Sequence, residues 1–236
     1  MTILIPGLII FFSALVQGAT SFGFSLIALP LLGLVLDLKT IVPMLVLFSL
    51  FMNIIILIRL KRKPHIKALL MMFIVAVIFT PIGVQILKVM DESILKIFIG
   101  ILLIVVAILL KRGYRVHIQN EKLTFLIAGV LSGIFNGSVS ISGPPIVVML
   151  SNNDTERDLF RISLTTYFLL LNIITVFLYF NGGLLSAGII KSYLGLIPFL
   201  IGGTIAGTLL GSHIDEVKFK NVVLNLLVVM GIMNLF

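Results

Sequence analysis

Two short stretches carry polar chemistry in apolar surroundings: "QGATSFG" at 17–23 and "NGSVSISGP" at 136–144. Their polar side chains are hydroxyls and carboxamides, interleaved with glycine, with no acid and no base. Neither stretch holds an acid–base pair or a nucleophile beside its base. Such residues suit the binding of an anion. A helix that starts there presents unpaired N–H groups and about half a positive charge at its first turn. Glycine lets an oxyanion approach the backbone, and serine and threonine hydroxyls add donors. The candidate binding residues are Gln17, Gly18, Thr20, Ser21 and Gly23 in the first stretch. In the second they are Asn136, Gly137, Ser138, Ser140, Ser142, Gly143 and Pro144. Ser142 or Gly143 offers the cap of the second helix, with Pro144 at its first position. Ser21 offers the cap of the first. The competing reading is small-residue packing at a kink; recurrence of the break in both halves favours binding.

Three residues outside these stretches have a supporting place. Asn53 and Asn172 lie deep in apolar runs, where a carboxamide serves as interhelical glue, bonds the exposed backbone of a break, or reaches substrate; glue is the commoner role. Arg161, at the mouth of a run, is read as a positive-inside anchor, with guidance of an anion into a vestibule as the alternative. The Asp91-Glu92 and Asp215-Glu216 pairs read as helix-starting acids. His65, His117 and His213 fall in loops without metal-ligand spacing, and the chain has no cysteine, so no metal and no cofactor is expected.

The elements that must position these residues belong to a membrane. Only 11% of the 236 residues are charged and the mean hydropathy is +1.27, whereas a soluble domain carries roughly 25% charged residues. Every acidic residue falls between apolar runs, as the cost of an ion in hydrocarbon demands. The pI near 9.9 is assigned to Lys- and Arg-rich loops, and no basic soluble module for nucleic acid is present. The opening "MTILIPGLIIFFSALVQG" lacks a basic n-region and reads as a mature membrane segment. Runs 40–58, 66–88, 94–110, 161–180 and 217–236 are near the ~20 residues that cross a bilayer. The longer run 186–211 is glycine-rich and reads as a kinked or closely packed span, and Pro81 is expected to kink 66–88. Runs 2–16 and 23–36 rise only about 20–22 Å each, so 17–22 and 136–143 are expected to be unwound and enclosed by protein.

An internal duplication is visible. At a shift of 119, "QGATS" (17–21) lies on "NGSVS" (136–140) and Asn53 on Asn172; at a shift of 124, Gly83 lies on Gly207 and Asp91-Glu92 on Asp215-Glu216. The expected architecture is therefore an all-α polytopic membrane protein, one membrane domain over 1–236. Residues 1–112 and 122–236 form two repeats, each a broken helix pair plus three spans. If the broken pair turns back, thirteen basic residues lie on the cytoplasmic side and four outside; if it crosses, the split is ten to seven. The positive-inside rule favours the re-entrant, inverted arrangement.

"QGATSFGFSLIALPLL", "GVLSGIFNGSVSISGPPIVVMLSN" and "FRISLTTYFLLLNIITVFLYFNGGLL" together resemble the TauE/SafE family of sulfite and sulfonate exporter-like membrane proteins. The resemblance covers essentially the whole chain, although Thr20 and Ser21 replace part of a glycine-richer first motif. It implies a secondary transporter, in the export direction, of sulfite, sulfonates or related organic acids, in the bacterial inner (cytoplasmic) membrane. The partners implied are a small anionic substrate and the lipid bilayer, with a homodimer admitted. No Asp, Glu, His, Lys or Cys lies at depth in the spans, which argues against an enzyme. A scaffold or assembly subunit that transports nothing is the alternative.

Overall fold

The computed structural model describes residues 3–60, 66–111, 121–151 and 157–211, with positions 225, 228, 229 and 232 beyond them. The described residues are helical, without a strand: α1 Leu4–Thr20, α2 Phe24–Leu32, α3 Leu38–Leu60, α4 Ile66–Val89, α5 Glu92–Lys111, α6 Glu121–Val139, α7 Gly143–Ser151, α8 Arg157–Asn181, α9 Ala187–Tyr193 and α10 Ile197–Leu210. A 3₁₀ turn over Leu194–Leu196 joins α9 to α10, so the glycine-rich run 186–211 is irregular as expected. α4 continues as one helix through Pro81. Six helices or joined helices, beginning at residues 38, 69, 92, 122, 158 and 187, are long and apolar enough to cross a membrane. The last expected span, 217–236, with His213 and the Asp215-Glu216 pair, lies outside the described stretches, as do His65 and His117. Leu95 N bonds Asp91 O, placing Asp91 before α5 and Glu92 in its first turn.

The outer surface is apolar as well as the core, and some polar side chains are buried. Ile58, Ile78 and Phe177 are 70%, 62% and 63% exposed, while Asn53, Ser138 and Thr165 are fully buried. Large apolar side chains exposed on α3, α4, α5 and α8 are an aggregation hazard in water and the natural surface in lipid.

Two helix crossings carry the packing, and glycine makes both. α1 runs alongside α10: Gly7 meets Phe199, Gly203 meets Phe11 O, Gly207 meets Leu15 O and Gly211 meets Ala19. α6 runs alongside α4 in the same way, with Gly129 against Met72 O, Gly133 against Ala76 O and Gly137 against Thr80 O. The two sets are related by the shifts read from the sequence. Gly18 faces Thr204 O, Gly207 and Thr208 N; Gly137, 119 residues later, faces Thr80 O, Gly83 and Val84 N, each 124 residues earlier. Backbones approach this closely only where no Cβ intervenes. The first helix of each broken pair, α1 or α6, thus packs against a helix from the other half of the sequence, while α2 packs on α3, α7 on α8, and α3 on α8.

Candidate functional site

Both helices break, over fewer residues than expected. α1 continues through Gln17, Gly18 and Thr20, and α6 through Asn136, Gly137 and Ser138, leaving only 21–23 and 140–142 non-helical. The physical reason is that Gly18 and Gly137 face neighbouring backbones, where a helix needs a small residue as much as a break does. Each helix ends at a left-handed serine, Ser21 (φ 67°) or Ser140 (φ 60°), the only non-glycine residues with positive φ among those described. Ser21 N returns to Gln17 O at 2.6 Å, and Ser140 N to Asn136 O at 3.1 Å. Ser21 therefore closes α1 and does not cap α2. The α2 cap position is Gly23, at φ 103°, a conformation glycine adopts freely.

Carboxamides lock each break to the next long helix. Gln17 Nε2 donates to Asn53 Oδ1 at 3.0 Å, while Gln17 Oε1 accepts from Phe24 N at 3.2 Å, taking the first amide of α2. Asn136 Nδ2 donates to Asn172 Oδ1 at 3.2 Å and to Thr175 Oγ1 at 2.8 Å. Both Gln17–Asn53 and Asn136–Asn172 span 36 residues. Asn53 thus joins α3 to α1 through its carboxamide. Gln17→Leu removes the acceptor of Phe24 N and the partner of Asn53, whose Nδ2 already has none. A newly unsatisfied buried amide costs about 1–3 kcal/mol. At roughly 2–4 °C per kcal/mol for a chain of this size, its thermal midpoint in detergent should fall by several degrees.

α8 holds the ends of both broken helices. Arg161 Nη2 donates to Gly18 O at 2.8 Å, and its Nε to Ser21 Oγ at 3.4 Å. Tyr179 OH donates to Gly137 O at 2.9 Å, the carbonyl matching Gly18 O. Arg161 is only 8% exposed, which corrects its reading as an interfacial anchor or vestibule guide: it lies four residues into α8 and is drawn inward by the carbonyl end of α1. A second relay, Tyr167 OH to Ser132 Oγ (2.8 Å) and Ser132 Oγ to Ser142 O (3.0 Å), fixes the other break.

The breaks meet. Ser25 Oγ and Ser140 Oγ are 2.9 Å apart, and between the two halves lies a cavity of about 30 Å³, room for about two waters. Of the expected residues it is lined by Gln17, Gly23, Asn136, Ser140, Ser142, Gly143, Pro144 and Asn172. Gly18, Thr20, Ser21, Asn53, Gly137, Ser138 and Arg161 do not line it. Thr20 Oγ1 lies within hydrogen-bonding distance of both Val16 O and Phe22 O, which share its one proton, and Ser138 Oγ donates to Ile134 O. The sequence reading missed Phe22, Ser25, Leu26, Ser49, Ile141 and Phe168. Ser25 and Ser49 were visible as polar residues isolated in apolar runs. Ser49 is the middle residue of α3, and Phe168 and Asn172 flank the middle of α8.

The two helix starts differ as donors. The α2 ladder begins at Ile27 N to Gly23 O, so the amides of Ser25 and Leu26 precede it, beside the cavity. In α7, Pro144 and Pro145 occupy the first turn and carry no N–H. The second break therefore offers Gly143 N and side-chain hydroxyls.

Among the described residues no group of three His, Cys, Asp or Glu could hold a metal. The model of the sulfite exporter TauE/SafE family matches residues 7–234. No match is found among curated proteins or solved structures. With its apolar spans and a family match over nearly its whole length, the chain belongs to the TauE/SafE sulfite exporter family of multi-pass membrane transporters, a family of transporters and not of enzymes.

Proposed function

We propose that the protein is a secondary transporter that exports small oxyanions such as sulfite, sulfonates or related organic acids across the cytoplasmic membrane. The solute sits in the cavity between the breaks, held by Ser25 N, Leu26 N, Ser140, Ser142, Gly143 and Asn172. The observation that carries this reading is the meeting of two helix breaks, joined by the Ser25–Ser140 bond, around one cavity. It lies at the middle of α3 and α8, where transporters commonly place their sites.

We read the halves as inverted repeats, each with a re-entrant broken pair. Lys39 Nζ bonds Lys88 O and Lys88 Nζ bonds Gly182 O, which gathers the start of α3 and the ends of α4 and α8 at one end of the molecule. α3 also touches α9, and Ile3 lies against Gly195 just beyond it. The entry to α1 and the exit from α2 therefore share that end. α6 instead follows α4 from its start, and α7 leads into the start of α8, at the opposite end. The two glycine carbonyls held by Arg161 and Tyr179 belong to positions 18 residues apart on α8, about 27 Å along a helix, as expected of hairpins entering from opposite faces. The Arg- and Lys-rich loops 59–67 and 111–122 mark the second end as cytoplasmic.

Ser140→Gly with Ser142→Ala removes both hydroxyls and keeps the left-handed backbone at 140, which valine would strain. Two lost hydrogen bonds of about 1 kcal/mol each should reduce efflux of labelled sulfite from proteoliposomes roughly tenfold or more. Unchanged flux would rule out this cavity as the site. Absence of any oxyanion flux with folded wild-type protein would return the scaffold reading.

A further inference from the structure

Resting on this anion-binding site, we infer that it admits its oxyanion only as a monoanion, so that sulfite travels as hydrogensulfite and carries its own proton. α1, α2, α3, α6, α7 and α8 all contribute to the cavity wall, and none contributes an Asp, Glu, His, Lys or Arg to it. The polar groups there are neutral. Asn172 is 2% exposed and its Oδ1 is taken by Asn136, which leaves its Nδ2 hydrogens for the solute. Ser142 is 7% exposed and lines the same cavity. Phe22, Leu26, Ile141 and Phe168 complete the wall and lower the local dielectric.

Desolvation separates the charge states. The cost of moving an ion into a poorly polarisable site grows as the square of its charge, so a dianion loses about four times what a monoanion loses. Neutral donors return a roughly linear gain. The charged side chain bonded at the breaks is Arg161, which lies outside the wall on Gly18 O and Ser21 Oγ. Sulfite ionises for the second time near neutrality, so both of its forms are available to the protein. Hydrogensulfite released on the far side gives up its proton to water there: one proton moves with each sulfur, and no carboxylate relay within the membrane is needed.

The test uses the full chain in proteoliposomes, from mildly acidic to mildly alkaline pH, against protein-free vesicles. The probes are labelled sulfite, methanesulfonate (a monoanion throughout) and sulfate (a dianion throughout). Sulfite flux at fixed total concentration is expected to fall about tenfold per pH unit above the second ionisation. Methanesulfonate flux should stay level and sulfate flux should equal the protein-free background. Sulfite flux that holds level or rises with pH overturns the inference, as does sulfate carried at the methanesulfonate rate. A parallel fall of sulfite and methanesulfonate also overturns it, because the titrating group would then be in the protein. No flux of any probe removes the transport reading itself, and the inference with it.

Discussion

Arg161→Met is expected to reduce anion flux by about two orders of magnitude, with Arg161→Lys recovering part of it. The guanidinium is 8% exposed and reaches from the start of α8 to Gly18 O at 2.8 Å and Ser21 Oγ at 3.4 Å. A hydrogen bond to a charged group contributes about 1.5–3 kcal/mol, and two orders of magnitude in rate corresponds to about 2.7 kcal/mol. The planar fork addresses a carbonyl and a hydroxyl in fixed directions. Lysine supplies the charge without that geometry. Two consequences should be separable. Without the fork, Ser21 loses its partner and the α1–α2 junction loosens, lowering the thermal midpoint. Without the charge, the site loses the counterweight to its anion and KM rises. Arg161→Lys should therefore restore KM more than it restores the midpoint. Initial rates over a concentration series, with melting of the same preparations, measure both. Wild-type flux in Arg161→Met would show that neither the strut nor its charge serves transport.

The helical, membrane-spanning character of the chain was legible because hydrocarbon leaves few alternatives. Charges must lie at the ends of runs, and a polar stretch at depth must be enclosed. Asn53 and Asn172 were legible as matched residues, and each bonds the carboxamide that precedes its own break. What was not legible has a common cause: glycine and serine serve several purposes with one identity. Gly18 and Gly137 read as unwound backbone and are helical contacts, since both uses need only the absence of a Cβ. Ser21 read as a cap and is a left-handed terminus, because both positions favour short polar side chains. Arg161 was invisible as a buried strut, since its partner is a backbone carbonyl 143 residues away and carbonyls carry no mark in a sequence. Ser49 and Phe168 join the cavity only through the packing of α3 and α8 around both breaks.

Gly207→Val should leave no monodisperse protein at ordinary yield, and Gly83→Val should do the same. A Cβ at 207 would overlap Leu15 O and come within 2.8 Å of its carbonyl carbon; at 83 it would overlap Ile134 O. The obstacle in both cases is helix backbone, which cannot rotate aside as a side chain can. Overpacking costs about 1–3 kcal/mol where side chains yield, and here α1 must move off α10, or α6 off α4. Either displacement reaches the site. Leu15 lies two residues before Gln17, so a shift of α1 draws Gln17 from Asn53 and Gly18 O from Arg161 together. Ile134 lies two residues before Asn136, whose bonds to Asn172 and Thr175 would break in the same way. Gly188→Ala is the control, since a Cβ there meets nothing closer than Ser186 Oγ at 3.8 Å; it should purify and melt like the wild type. Size-exclusion profiles and thermal midpoints in detergent distinguish these outcomes. A folded Gly207→Val with unaltered flux would mean that the α1–α10 crossing does not set the height of the first break. The carboxamide and guanidinium bonds would then have to hold it alone.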